Sequence, residues 1–197
     1  MKRGLIALAA LLAVPALAHA QGTITGIATG EDFFAPADVS SDAGVESFHW
    51  RWGPPDTATG HNVREQSKLF YSGGVEPADE LTITPSAGTF RYYCEAHGFI
   101  SATGKPVGMA GQIAVKPTAT PQGKQTLITW ATETTDTGNR YDVKQKVGSK
   151  KAKVVKENTK AIEGAFKLKR GTGYTFQVRS RKGKSASDWS PKLKVKG

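Results

Sequence analysis

The chain has 197 residues, a formal net charge of +10 and a single cysteine. One cysteine excludes an internal disulfide, so in an exported chain the thiol is expected to react, to pair between chains or to bind a metal. A buried, inert cysteine is the alternative. The length suits one large domain or two small domains, each with its own core.

Residues 1–20 have the features of a secretory signal peptide. Lys2 and Arg3 precede an apolar run from Leu5 to Val14, and Ala18-His19-Ala20 provides an A-x-A cleavage site. The apolar run is shorter than the roughly 20 residues that a membrane-spanning helix needs. The sequence therefore predicts a chain that is cleaved after Ala20, does not span a membrane and is secreted, periplasmic or associated with the cell envelope.

Charge divides the remaining chain into two parts. Residues 21–117 contain six Lys/Arg and eleven Asp/Glu, whereas residues 118–197 contain nineteen Lys/Arg and six Asp/Glu. Such asymmetry indicates two modules with different surface chemistry. Residues 116–123 contain two prolines and small polar residues, which predicts a semi-rigid linker at the start of the second module.

Alternating apolar residues predict short strands in the first module. After an opening strand at residues 23–29, Phe48, Trp50 and Trp52 lie on one face of a strand and His49 lies on the other. Several such strands without helical periodicity indicate an antiparallel sandwich. His49 is expected to face solvent or to contact the ligands of a site, rather than to bind a metal itself.

The chain's cysteine lies on a strand that begins near Gly88. Phe90, Tyr92 and Cys94 alternate with Arg91 and Tyr93, so Cys94 shares a face with two aromatic rings. Residues 98–108 are expected to form a loop near the cysteine, with a plain surface insertion as the alternative. A second strand follows this segment.

Four residues offer the donor set of a copper site. Cys94 provides a thiolate, His97 follows three residues later, and Met109 precedes the next strand. His61 would complete a His₂Cys site with a weak axial methionine, a set that suits copper. The alternative for His61 is an ordinary surface histidine.

These residues resemble the cupredoxins, the plastocyanin-like blue copper proteins. The resemblance rests on His61-Asn62-Val63 and on the run from Gly88 to His97 followed by Met109, and it covers about residues 23–115. It implies a Greek-key sandwich, a type 1 copper held by His61, Cys94, His97 and Met109, and one-electron transfer. It also implies that Asn62 supports the ligands.

The second module resembles a fibronectin type III domain. Trp130 matches the conserved position on the second strand of that fold, Leu168-x-x-Gly171-Thr172-x-Tyr174 matches the segment that forms a tyrosine corner, and Ser187 to Pro191 resemble its S-x-W-S end. The resemblance covers about residues 118–197 and implies an immunoglobulin-like sandwich. The chain as a whole is therefore predicted to be all-β.

Three functions are compatible with this sequence. The first is an exported one-electron carrier, the second a copper-binding or copper-delivery protein without redox turnover, and the third a metal-free interaction module. An enzyme is not expected, because multicopper oxidases need further His-x-His pairs and only His49, His61 and His97 remain after signal removal.

The charge distribution suggests two kinds of partner. The acidic first module favours a basic redox partner, and the lysine-rich second module favours an anionic envelope polymer or membrane surface. A solvated strand face is the simpler explanation of the lysines. Nucleic acid is not an expected partner, because the chain has no recognition motif for it and is predicted to be exported.

Overall fold

A computed structural model describes the backbone of residues 20–28, 32–53 and 60–197, and side chains from residue 34 onwards within these ranges. The predicted signal peptide, apart from Ala20, lies outside the described residues. Within them, no helix is long and apolar enough to cross a membrane.

All regular secondary structure in the described residues is β, as the alternating sequence predicts. The strands of the N-terminal half are β1 (Ala20–Ala28), β2 (Asp32–Ala35), β3 (Asp38–Asp42), β4 (Glu46–Trp52), β5 (Arg64–Glu65), β6 (Asp79–Ile83), β7 (Gly88–Ile100) and β8 (Pro106–Lys116). Those of the C-terminal half are β9 (Thr118–Gln122), β10 (Gln125–Thr129), β11 (Arg140–Val147), β12 (Lys153–Thr159), β13 (Glu163–Phe166), β14 (Gly173–Lys182), β15 (Ser185–Ala186) and β16 (Leu193–Lys196).

The N-terminal half contains two four-stranded sheets, with strand orders β2-β1-β4-β6 and β3-β8-β7-β5. The pairs β1/β4 and β3/β8 are parallel, and the other pairs are antiparallel. Phe48, Trp50 and Trp52 of β4 are buried, which confirms the predicted apolar face. The ring centroids of Trp50 and Tyr92 lie 5.1 Å apart, so the two sheets share one aromatic core. Each buried aromatic side chain contributes roughly 1.5–3 kcal/mol.

The C-terminal half contains a β13-β10-β9 sheet and a β12-β11-β14-β15 sheet, with β16 also paired to β14. Trp130 and Phe176 are fully buried in its core. The backbone N–H of Lys169 donates a hydrogen bond to the Tyr174 hydroxyl oxygen at 2.9 Å. This bond is the tyrosine corner that the sequence predicts, and it fixes the chain where it enters β14.

The linker expected at residues 116–123 is largely a strand. Residues 118–122 form β9, which pairs antiparallel with β10 through a tight turn. Gly123 has a φ of +59°, a conformation that favours glycine. Pro121 is tolerated because β9 is an edge strand, where a missing N–H can face away from the sheet. The segment that its proline content predicted to be a linker is therefore part of the C-terminal sheet.

A buried cluster of hydroxyl groups joins the two halves. The backbone N–H of Ser86 donates to Thr137 Oγ1 at 3.0 Å, and the Ser86 hydroxyl contacts both Thr137 Oγ1 and the hydroxyl of Ser180 on β14. The backbone N–H of Ala87 donates to the Trp130 carbonyl oxygen at 2.7 Å. The segment that leads into β7 is therefore bonded to both C-terminal sheets.

The start of β7 makes a second set of contacts with the C-terminal half. Thr89 and Asp188 exchange two backbone hydrogen bonds of 3.1 Å, and Thr89 Oγ1 donates to the Trp189 carbonyl oxygen at 3.1 Å. Arg91 forms an ion pair with the Asp188 carboxylate. These bonds hold β7, the strand that carries Cys94, against the second half of the molecule.

Replacing Thr137 with valine tests the hydroxyl cluster. The Thr137→Val change keeps the side-chain shape but removes the acceptor for the buried N–H of Ser86, and we expect a loss of about 1–3 kcal/mol of unfolding free energy. Urea denaturation measures the loss. The exposed Thr120→Val change on β9 serves as the control and should stay within about 0.5 kcal/mol of the wild type. Equal stability of the two variants would contradict the role assigned to the cluster.

Candidate metal centre

An irregular region in the β7/β8 hairpin carries the cysteine. Tyr93 pairs with Ala110 and Gly98 pairs with Gly108, so the four residues from Cys94 to His97 lie opposite Met109 alone. Such a bulge leaves residues unpaired and redirects their side chains. Here the bulge contains both Cys94 and His97 and lies opposite Met109 of β8.

Residues 98–108, predicted to be a loop, mostly extend the hairpin. Gly98 to Ile100 pair with Pro106 to Gly108, and only the tip at residues 101–105 is a turn. A Cβ on Gly98 would lie 2.3 Å from the Met109 carbonyl oxygen, and one on Gly108 would lie 2.3 Å from the His97 carbonyl oxygen. Glycine is thus required at both positions by the close approach of the two strands. The pairing returns the chain to Met109 despite the long sequence separation from His97.

His61 approaches the bulge from a separate segment that precedes β5. Its backbone N–H donates to the Glu76 carbonyl oxygen at 2.9 Å, and the Glu76 N–H donates back to the His61 carbonyl oxygen at 3.0 Å. The indole N–H of Trp52 donates to the same Glu76 carbonyl at 3.0 Å. The backbone of His61 is therefore anchored to the core strand β4 through Glu76.

The three strongest donors of the predicted set converge. His61 Nδ1 lies 3.1 Å from His97 Nδ1, and Cys94 Sγ lies 3.8 Å from His61 Nδ1 and 3.5 Å from His97 Nδ1. Ligands bound to one ion at about 2.0–2.3 Å lie roughly 3–4 Å from one another. The separations and the thiolate–imidazole chemistry therefore fit a shared metal ion, so His61, Cys94 and His97 could bind one.

Met109 lies across the hairpin from the bulge, whereas His49 lies on a strand of the other sheet. Met109 is 0% exposed and belongs to the same buried cluster as Cys94, directly across the hairpin from the bulge. His49 lies on β4, and its Nε2 is 3.2 Å from the Glu80 carboxylate. Among the described residues, His49 is therefore not part of the group formed by His61, Cys94 and His97.

Asn62 connects the two segments that carry the donors. Its Oδ1 accepts a hydrogen bond from the Glu95 backbone N–H at 2.8 Å, and its Nδ2 donates to Glu95 Oε2 at 2.8 Å. Asn62 Nδ2 also donates to the Gly73 carbonyl oxygen at 3.0 Å. Because Asn62 follows His61 and Glu95 follows Cys94, these bonds hold the two donor segments in register.

Glu95 is a supporting residue that the sequence did not reveal. Its carboxylate also accepts a hydrogen bond from the Tyr71 hydroxyl at 2.9 Å and pairs with Arg64. Partial burial opposes ionisation, but the bonds from Asn62, Tyr71 and Arg64 prevail and lower the pKa of Glu95. The group is therefore anionic at neutral pH. No sequence pattern identifies it, because its partners Asn62, Arg64 and Tyr71 lie 24 to 33 residues before it in the chain.

Glu65 is a buried acid on β5, on the strand that pairs with β7. It is 1% exposed, and its Oε2 accepts the backbone N–H groups of Ser67 and Leu69 at 2.7 and 3.0 Å. Burial raises the pKa of Glu65 to about 7, although the two hydrogen bonds oppose the shift. The unfolded chain releases this proton near the ordinary value of 4.5, so the folded protein binds the proton more tightly.

Glu65→Gln tests this burial through the pH dependence of stability. The wild-type unfolding free energy should fall as the pH rises from 4.5 to about 7, by roughly 3 kcal/mol in total, because the folded state must then ionise a buried acid. The glutamine variant should lose this component. Chemical denaturation between pH 4 and 8 measures it, with the exposed Glu133→Gln as a control that keeps the wild-type slope. An unchanged slope in Glu65→Gln would refute the assignment.

No protein-family model matches the sequence, and no curated protein matches it. Among solved structures, a segment of two fibronectin type III domains from chicken tenascin is 15% identical, covers 74% of this chain and 89% of that one, and has a TM-score of 0.35. The first three fibronectin domains of chicken CNTN1 are 10% identical, cover 90% of this chain and 68% of that one, and have a TM-score of 0.34.

Reduced rusticyanin is also similar, with 15% identity, coverage of 49% of this chain and 78% of that one, and a TM-score of 0.30. The structural neighbours therefore include fibronectin type III domains and, as a weak match, a cupredoxin. None of them exceeds 15% identity, and the likeness concerns the fold alone.

Proposed function

We propose that the protein is an exported one-electron carrier of the cupredoxin kind, with one type 1 copper bound by its N-terminal domain at residues 21–117. His61, Cys94 and His97 would bind the metal, and Met109 would be the weak axial ligand. The observation that supports this proposal most directly is the convergence of two histidine Nδ1 atoms and the cysteine sulfur within 3.8 Å of one another.

Copper, when bound, supplies the one-electron change between Cu(II) and Cu(I). The chain's own residues would restrict the movement of the donor side chains during that change. Cys94 and Met109 lie in the buried core, and the bonds of Asn62 to Glu95 fix the two donor segments against each other. Donors held in this way would need little rearrangement when the metal changes oxidation state, which would favour rapid electron transfer.

The burial of Cys94 supports a metal ligand rather than a catalytic nucleophile. The residue is 0% exposed, so its thiol is shielded from a bulky substrate. The burial of His61 and Cys94, two of the three converging donors, also favours retention of the metal over its delivery to another protein. We therefore rank the electron carrier above the delivery protein and above an enzyme, with electron exchange with a redox partner as the distinguishing measurement.

We place the contact with the redox partner at the tip of the β7/β8 hairpin. Phe99 and Val107 face each other across the hairpin and are 55% and 40% exposed, although both are apolar. Phe99 follows His97 on β7, and Val107 precedes Met109 on β8. The acidic excess of residues 21–117 favours a partner with a basic rim around this apolar contact.

We propose that the C-terminal domain, residues 118–197, holds the exported protein on an anionic polymer of the cell envelope. Its nineteen basic residues against six acidic ones support electrostatic retention. The predicted signal peptide, cleaved after Ala20, would take the protein to that location. The domain itself would be a fibronectin type III fold with a structural and attachment role.

Cys94→Ser tests the copper assignment. The intense visible absorption of a blue copper site requires the thiolate, so copper-loaded Cys94→Ser should be colourless, whereas Met109→Leu should keep the colour. If Met109 binds the copper, its loss should destabilise Cu(II) more than Cu(I), so the reduction potential of Met109→Leu should rise. Visible spectra and redox titration measure both effects. A blue Cys94→Ser protein would refute the proposal, and an unchanged potential in Met109→Leu would remove Met109 from the ligand set.

Asn62→Ala tests the connection between the donor segments. Removal of such a supporting residue typically lowers metal affinity by about 10–100-fold, and we expect the same here because the bonds to Glu95 and Gly73 are lost. Chelator competition measures the affinity for copper. Asn139→Ala, an exposed asparagine of the C-terminal half, is the matched control. Equal affinities of the two variants would show that the donors do not depend on Asn62.

A further inference from the structure

Three neighbouring cavities on the C-terminal half are lined by lysine. The central one has a volume of about 360 Å³ and lies between the turn after β11 and strand β14. It shares Thr175 with a cavity of about 440 Å³ on one side, and it shares Lys150 and Lys151 with a cavity of about 210 Å³ on the other. The lysine track is the set of lysines that line these cavities: Lys144, Lys146, Lys150, Lys151, Lys153, Lys192, Lys194 and Lys196.

Within the described part of the chain, no ion pair balances the positive charge of the lysine track. No aspartate or glutamate lines the three cavities. None of the ion pairs found in the described part of the chain includes a lysine of the track. The buried carboxylate of Asp142 on β11 is already bonded to Arg179 and Arg181, at 2.7 to 2.9 Å. The track therefore concentrates like charges that an external anion would stabilise.

Lys144 occupies the most enclosed position of the track. Its Nζ lies 4.1 Å from the centroid of the Trp189 ring, and Arg179 lies over the same ring at 4.8 Å. Partial burial and the neighbouring charges of Arg179 and Lys192 lower the pKa of Lys144. The aromatic ring fixes the ammonium group, while the nearby cations disfavour its charge in the absence of an anion.

The composition of the track indicates the chemistry of its ligand. Arginine forks pair with carboxylates and phosphates in a fixed bidentate geometry, whereas lysine binds phosphate as a compact point charge that accepts many orientations. The three cavities are lined by eight lysines and by no arginine. The central and smallest cavities adjoin at the turn after β11 but lie on opposite faces of that strand, because Lys144 and Lys146 line one and Gln145 and Val147 line the other. A flexible linear chain of anions could follow both, whereas the flat surface of a membrane could face only one.

We propose that the lysine track binds a linear polymer of closely spaced phosphoryl groups. The polymer would lie along the three cavities, with Lys150 and Lys151 contacting it where the central and smallest cavities meet. This inference deepens the proposed retention on an envelope polymer, and it does not depend on copper. The acidic N-terminal half would remain directed away from the polymer by charge repulsion.

The test is a titration of the full-length protein with inorganic polyphosphate at several salt concentrations. We expect binding that weakens steeply with salt, and inorganic orthophosphate should bind at least about 100-fold more weakly because it makes no multivalent contact. The Lys150→Gln/Lys151→Gln double variant should lose about tenfold or more in affinity at low salt. Its salt slope should decrease by roughly two, one for each cation removed.

Lys160→Gln/Lys167→Gln is the matched control, because both lysines are exposed, neither lines the cavities and the change in net charge is the same. This variant should bind polyphosphate within about twofold of the wild type if the track is the site. Equal weakening of both variants would show that net charge alone drives binding and would overturn the proposal. Tight binding of orthophosphate, or preference for anionic lipid vesicles over polyphosphate, would overturn it as well.

The outcomes separate this inference from the proposed envelope attachment. If cell-envelope material retains the protein in a salt-sensitive manner while polyphosphate does not bind, the attachment stands and the track is wrong. If polyphosphate binds through the track but envelope material does not retain the protein, the site is real and the proposed attachment is wrong.

Discussion

The four-against-one bulge in the β7/β8 hairpin is the constraint on which the candidate metal centre depends. A regular hairpin would place Cys94 in a buried core row and would turn His97 elsewhere, because side chains alternate along a paired strand. The bulge instead brings both side chains to one point, opposite Met109. Two glycines allow the strands to resume close pairing immediately afterwards. The interruption is therefore confined to the residues that carry the donors.

The rest of the N-terminal half holds this bulge in place from two directions. Asn62 and Glu95 bond the bulge to the segment of His61, which is itself anchored through Glu76 to the tryptophan-rich strand β4. From the other side, the start of β7 is bonded to the C-terminal half through Ser86, Thr89 and Arg91. The C-terminal half thus supports the donor strand mechanically, besides any role of its own in attachment.

The molecule also keeps its two kinds of charge apart. Acidic residues predominate in the half that carries the donor group, and the unbalanced lysines lie on the other half, in cavities away from the β7/β8 hairpin tip. If the proposed anionic polymer and cationic partner protein both bind, this separation would let them approach different surfaces of the molecule. The buried pair of Asp142 with Arg179 and Arg181 neutralises the interior of the basic half, so the excess charge is left at its surface.

Local sequence determined the strand faces and the donor types. Alternation alone placed Trp50 and Cys94 in the core, because a strand repeats every two residues whatever surrounds it. Tertiary structure decided which donors meet, that residues 118–122 pair as a strand, and that Glu95 supports the centre. It also brought lysines of β11, the following turn and the C-terminal strand to neighbouring cavities. These features arise between segments that are distant along the chain, so no local pattern of residues encodes them.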